Sequence, residues 1–398
     1  MDLGIVLYRQ SRAVAPEWAW GQRLCEEFLR DGLGSSPLYV VENMAQVSLG
    51  DILARTQTAL VGAVLDDVTF WDPAGWGTLC KILADAPHIG VIAPVSNEAA
   101  VIEQRASSPF LYQTPSLFRL ACHQRRQGFH GQWKEVTRLD PFAFLCRRSD
   151  LEKLNPQTSL AQVPACLSER GLTLALALDT YVHRYARMYE QERSDLQALV
   201  QRDVKHILDI GCAAGAFGVA LKARQPCRVV GIELNATLAL TAARRLDRVL
   251  QESIEDLPET AFAAEFDCII CGDVLEHLRD PWATITKLTA WLAPQGRIIA
   301  TLPNVGHWSI AVDLLQGRWD LVPFSLLCWG HLRFFTRSGI ERLFTGNGLS
   351  IELLQGMTAS LPSVGETFLQ QATSLVPGAD LESLRTNEFL VVAQKVER

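Results

Sequence analysis

The sequence predicts two α/β domains, the second a doubly wound and mainly parallel sheet. Three observations carry this expectation. At 398 residues the chain exceeds what one ordinary core organises and suits two domains. Strand-like apolar runs alternate with segments of helical spacing, an order that implies parallel strands joined by right-handed crossovers. A turn of very small residues then joins one strand to one helix at 209–216, as ligand-binding sheets of this kind require.

Taken in order, 4–8, 38–41, 59–65 and 89–93 read as strands of a first domain, with 76–84 as a helix. Asn155-Pro156 and Val163-Pro164 interrupt the chain in a way that helix and strand interiors avoid. Tyr181, Tyr185, Tyr189, Leu196 and Leu199 fall at helical spacing, so 180–201 is expected to be a helix leading into the second domain. The resulting partition is 1–155, a connecting segment 156–200, and 201–398. In the last part, 206–210, 228–232, 266–271 and 297–301 read as strands, and 216–224, 236–245 and 282–292 as helices. Strand candidates at 350–354 and 388–394 close the chain.

Composition narrows the function. Apolar residues make up 48% and charged residues 20%, as in a globular protein. A net charge of -7 argues against a broad nucleic-acid footprint, so no nucleic-acid partner is expected. The longest interior apolar stretch, 172–178, is far shorter than the roughly 20 residues of a membrane-spanning helix. The opening Met1-Asp2-Leu3-Gly4-Ile5-Val6-Leu7 lacks the pattern of a secretory signal, and ten scattered cysteines suit a reducing compartment, so a cytoplasmic location is expected. Cys268 and Cys271 lie three apart in a strand-like run, point to opposite faces and are not expected to share a metal.

The most informative passage is Asp209-Ile210-Gly211-Cys212-Ala213-Ala214-Gly215-Ala216-Phe217-Gly218. Its small residues let a ligand approach the backbone, as dinucleotides and S-adenosylmethionine both do. Asp209 separates these two ligands, because a carboxylate there repels a pyrophosphate and favours an ammonium and a sulfonium. The spacing also departs from G-x-G-x-x-G, with Ala213 and Ala216 at two of its glycine positions.

This passage resembles motif I of class I S-adenosylmethionine-dependent methyltransferases, whose common form is D-x-G-x-G-x-G; Ala213 replaces one glycine. Further resemblances follow in register over nearly 200 residues. Glu233-Leu234-Asn235 ends the second strand where the family carries the acid that accepts from the ribose hydroxyls. Ser253-Ile254 matches the segment flanking the adenine, with Ser253 where the family often has Asp. Gly272-Asp273-Val274-Leu275-Glu276-His277 resembles the motif after the fourth strand, and Leu292-Ala293-Pro294-Gln295-Gly296 the turn before the fifth. The resemblance implies a Rossmann-like sheet and S-adenosyl-L-methionine as cofactor, held by Asp209, Gly211, Ala213, Gly215, Glu233, Leu234, Ser253, Ile254, Gly272 and Asp273.

Acceptor-side candidates follow the fourth and fifth strands: Asp273, Glu276, His277, Asn304 and His307. His277 is the first choice for a general base, because an imidazole titrates near working pH; a packing or capping role is its alternative. His307 is the second choice. His331, in Gly330-His331-Leu332-Arg333-Phe334-Phe335-Thr336, either faces the acceptor or stabilises the turn before a helix starting near Thr336. Trp308, Trp319, Phe324, Trp329, Phe334 and Phe335 form an aromatic stretch suited to an acceptor ring or to core packing.

In the first domain, 60–68 ends in Asp66-Asp67-Val68 and is followed by 71–76 and 89–97. Together with Val40-Val41-Glu42-Asn43 and 142–149, this order resembles the middle of a GT-A, family-2-type glycosyltransferase, truncated or degenerate. In that family Asp66 and Asp67 would hold a divalent metal on a sugar nucleotide; no metal is expected elsewhere. The company of this domain makes O-methylation of a sugar or glycan-linked intermediate the leading expectation. The alternatives are a bifunctional glycosyltransferase/methyltransferase, a quinone- or phenol-type O-methyltransferase, and a non-enzymatic two-domain scaffold.

Overall fold

A computed structural model describes residues 2–8, 26–27, 29–30, 33–41, 47–65, 69–72, 74–108, 111–184, 190–322 and 325–396. Asp66, Asp67, Glu42, Asn43, Tyr185, Tyr189 and Phe324 lie outside these residues. The chain divides into two compact units, Met1–Ala186 and Arg187–Arg398.

The first unit holds β1 (Leu3–Tyr8), β2 (Leu38–Val41), β3 (Leu60–Val64), β4 (Thr69–Trp71), β5 (Ile89–Ser96), β6 (Trp133–Val136), β7 (Ala143–Arg147) and β8 (Thr173–Arg184). They form one sheet in the order β2-β1-β3-β7-β5-β8-β4, with β6 also paired to β8. β1 is parallel to β2 and β3, and β7 lies antiparallel between β3 and β5.

Two expectations for the connecting segment change. Residues 180–184 belong to β8 rather than to a helix, while Tyr185 and Tyr189 lie outside the described residues. Leu174, Ala175, Leu176 and Ala177 are all nearly solvent-free, because β8 pairs with β5, β4 and β6 and is covered on both faces. A short helix, Ser194–Leu199, lies in the later part of the expected span. Val163-Pro164 does not break the chain: it opens the helix Val163–Glu169, where the first turn has no use for the missing proline N–H. The first unit therefore runs about 30 residues past the expected 155.

The second unit holds β9 (His206–Ile210), β10 (Arg228–Ile232), β11 (Arg248–Leu250), β12 (Phe266–Gly272), β13 (Leu292–Pro303), β14 (Leu349–Thr358) and β15 (Thr386–Lys395). Their order is β11-β10-β9-β12-β13-β15-β14, parallel from β11 to β13, with β15 antiparallel to both neighbours. Period-two alternation feeds two cores. Leu208, Ile269, Cys271 and Ile298 pack on one face; Ile207, Cys268, Ile270 and Ile299 pack on the other. Cys268 and Cys271 thus lie on opposite faces, as expected. Truncating Leu208 or Ile269 to Ala would cost about 2–5 kcal/mol.

β9 has β10 on one side and β12 on the other, so successive connections leave in opposite directions from this point. The crevice beyond the carboxyl ends of β9 and β12 is where such a sheet receives a ligand.

Candidate active site

Asp209, one residue before the end of β9, is 5% exposed, and its Oδ2 has no hydrogen-bond partner. Burial, reinforced by the neighbouring Glu233 carboxylate, raises its pKa to about 7. The loop that follows turns sharply. Gly211, Ala213 and Gly215 have φ of 69°, 47° and 82°, and the Gly211 and Cys212 amides both donate to Ile232 O, at 2.8 and 3.2 Å. A Cβ on Gly211 would sit 2.7 Å from Val274 Cγ2. Ala213 replaces the family's glycine in a left-handed conformation, which costs an L-residue roughly 1–2 kcal/mol. Its amide donates to Glu233 Oε2 at 2.9 Å, which offsets part of that cost.

Glu233 follows β10, is 9% exposed and also accepts from Asn235 N at 2.7 Å. Its pKa is raised by burial against the opposing pull of these backbone donors. Next to it Leu234 is 60% exposed, an apolar side chain left in solvent beside the crevice. Ser253 is half-buried and its Oγ accepts from Glu255 N at 3.2 Å, while Ile254 is buried. At Gly272 a Cβ would lie 2.9 Å from Leu196 Cδ1, so the end of that side chain would have to shift to admit one.

Asp273, at φ 55°, is held from three sides. Arg193 Nη1 donates to its Oδ2 at 2.5 Å, Thr301 Oγ1 to its Oδ1 at 2.8 Å, and the Glu388 carboxyl hydrogen-bonds to it as well. Burial and the Asp273 charge push Glu388 well above the usual carboxylate range, so Glu388 carries the proton between the two. Arg193, Thr301 and Glu388 escaped the sequence reading. The one signal available was a basic residue immediately before the helix that opens the second unit.

Beyond β12 the turn Leu275–His277 carries Glu276, 1% exposed, and His277, exposed. The Glu276 carbonyl accepts from Leu332 N and Arg333 N at 2.8 and 3.0 Å, which brings the 328–335 segment back to the sheet. His331 thereby stands against Glu276, with Nε2 3.9 Å from Oε1, and its ring lies 4.9 Å from that of His277. Burial, helped by His277, lowers the His331 pKa to about 4. Burial also raises Glu276 far above its ordinary range.

His307 departs from its expected place. It is 3% exposed, caps the helix Trp308–Leu315 with Nδ1 against Ser309, and burial lowers its pKa to about 3. An enclosed, neutral imidazole engaged as a cap does not present itself to an acceptor. Asn304 is likewise structural: fully buried, it donates to Ser383 O and Thr386 O and accepts from Gly306 N. Trp319 and Phe334 pack edge to face at 5.3 Å and remain 42% and 39% exposed.

The donor set suits S-adenosylmethionine. A buried unpartnered carboxylate oxygen offers an acceptor to a cationic ligand, a strand-end acid offers one to paired hydroxyls, and the Gly211 turn has no room for a side chain.

The family described as methyltransferase domain matches residues 181–354. A ubiquinone biosynthesis O-methyltransferase of Stutzerimonas stutzeri is 30% identical over 159 residues, covering 39% of this chain and 68% of that protein. One from Psychrobacter arcticus is 25% identical over 160 residues, so the chain spans 62% of that relative and the match 38% of this chain. A solved S-adenosylmethionine-dependent methyltransferase from Mesorhizobium loti is 18% identical, with 51% of this chain and 97% of that chain covered at a TM-score of 0.37. Among the described residues no helix is long and apolar enough to cross a membrane. Through its second unit, the chain belongs to the S-adenosylmethionine-dependent methyltransferases.

Proposed function

We propose that the second unit methylates a hydroxyl oxygen on a ring-bearing small-molecule acceptor. One observation carries this reading: Glu276, His277 and His331 converge at the carboxyl end of β12, on the strand beside the one that opens the cofactor loop. S-adenosylmethionine supplies the electrophilic methyl group when bound. Glu233 accepts from the ribose hydroxyls, Ile254 packs on the adenine, Leu234 covers the ligand's apolar edge, and Asp209 and Asp273 face its positive charge. The chain's task is to hold acceptor oxygen, methyl carbon and sulfur in line and to exclude water. His277, the exposed member of the cluster, meets the acceptor hydroxyl, and Trp319 and Phe334 offer it aromatic faces. The similarity to O-methyltransferases of ubiquinone biosynthesis favours a phenolic acceptor.

The full chain with methyl-labelled S-adenosylmethionine is expected to label a catechol-type hydroxyl. His277→Ala should lower kcat about 100-fold, within the usual range for a lost proton-transfer group. Labelling confined to nitrogen or carbon acceptors would overturn the reading.

A sugar-bearing acceptor is the second reading, and with it the bifunctional one. It is supported by the resemblance of β3, β5 and their flanks to family-2-type glycosyltransferases. Hydrolysis of a sugar nucleotide with manganese, abolished by Asp67→Ala, would support it; the absence of both hydrolysis and manganese binding would reject it.

A further inference from the structure

We propose that Lys287 is a positioning residue for the adenine end of the cofactor, holding the 254–257 segment in the shape that receives the ring. This inference rests on the reading above in which Ile254 packs on the adenine; the clamp itself rests on geometry.

β11 ends at Leu250, whose carbonyl accepts from Glu233 N at 3.0 Å, so the chain that follows leaves the sheet beside the strand-end acid. Residues 251–258 form neither helix nor strand. Such a segment has no ladder to satisfy its carbonyls, and each needs another donor. One side chain supplies three of them. Lys287 Nζ donates to Ile254 O at 2.9 Å, to Glu255 O at 3.2 Å and to Leu257 O. An ammonium has three protons and no acceptor, so these bonds use its whole capacity. Bonds from a charged donor are about twice as strong as neutral ones.

Lys287 is half-buried in the helix Pro281–Trp291, and the start of that helix grips the segment a second time. Asp280 N donates to Glu255 Oε1 at 2.9 Å, and Arg279 Nε to Glu255 Oε2 at 3.2 Å. Within the segment Ser253 closes a turn: its carbonyl accepts from Asp256 N at 3.1 Å and its Oγ from Glu255 N at 3.2 Å. The Glu255 ties attach the segment to the helix through a side chain. Lys287 alone holds the backbone on both sides of Glu255, beginning at Ile254 itself. A surface ordered in advance spares the ligand the entropy cost of ordering it, so a lost clamp is paid in affinity rather than in the chemical step.

The test uses the full chain and calorimetry with S-adenosylmethionine and with 5′-methylthioadenosine, which keeps the adenosine and lacks the amino-acid end. Lys287→Met keeps the apolar stem and removes the donors, while the Glu255 ties remain to hold the fold. It should weaken both compounds by the same factor, about tenfold. Hydrogen exchange at the Glu255 and Asp256 amides, which the turn ties to Ser253, should speed up. Lys287→Gln, one bond shorter but still a donor, takes the place of Lys287→Met if that chain does not fold, and should lose less. Unchanged affinity for both compounds, even with lowered thermal stability, would overturn the assignment, as would a loss confined to S-adenosylmethionine. A wild-type chain that binds neither compound sinks the adenosine reading of this crevice. Exchange then decides the clamp by itself, and unchanged rates in the variant remove it too.

Discussion

The two ends of the parallel strands in the second unit use their acids differently. At the amino ends carboxylates are exposed or half-buried and matched to donors. Asp267 accepts from Lys205 N and His206 N, both at 2.9 Å, Asp247 pairs Lys222 and Val229 N, and Glu352 receives both arms of Arg297. At the carboxyl ends Asp209, Glu233 and Glu276 are buried, and oxygens of Asp209 and Glu276 have no partner. The first arrangement ties loops to a sheet. The second stores unmet hydrogen-bonding capacity that a bound ligand can satisfy, and it stands where an α/β sheet receives one.

That contrast is most directly broken at the loop itself. Gly211→Val forces a branched side chain into a left-handed conformation and against Val274, a cost of about 3 kcal/mol. S-adenosylmethionine affinity, measured by calorimetry, should fall about 100-fold or more. Retained affinity would show that the ligand does not lie on this turn.

The next effect is a pH dependence. The folded chain keeps a proton on Asp209 up to about pH 7, whereas the unfolded group releases it near 3.8. Its contribution to stability is therefore complete below pH 3.8 and is lost as pH rises through 7. A cationic ligand favours the ionised form, so affinity should strengthen by up to about tenfold per unit as pH approaches 7 from below. Asp209→Asn should flatten this part of the profile; an identical profile in both proteins would remove Asp209 from the cofactor site.

The smallest effects fall on groups already satisfied. Replacing the helix cap with His307→Ala should cost about 1 kcal/mol in thermal unfolding. Asp267→Asn should cost a similar amount or less, since one of its two acceptor oxygens remains. Neither should change the affinity for S-adenosylmethionine, and a tenfold change in either would erase the distinction between the two ends.

Much of this was legible because it is written locally. A strand ending in Asp209, a run of residues too small to block a ligand, and an acid ending the next strand report backbone shape and charge at neighbouring positions. Side-chain alternation likewise separated Cys268 from Cys271. At 180–184 a strand stands where a helix was expected, because Tyr181 and its neighbours continue β8, which is fixed by pairing with distant strands that local spacing does not register. His307 misled because an imidazole is a base or a cap depending on whether Ser309 holds it.

The order of small, acidic and apolar residues along the chain determined by itself that the second half is a wound α/β sheet with a turn of small residues at 209–215. Only the tertiary structure decided which polar groups were left without partners. Arg193 reaches Asp273 across 80 residues, and His331 stands against Glu276 because a returning segment bonds to one carbonyl. Such pairings depend on where the chain comes back to, and residue spacing carries no record of that.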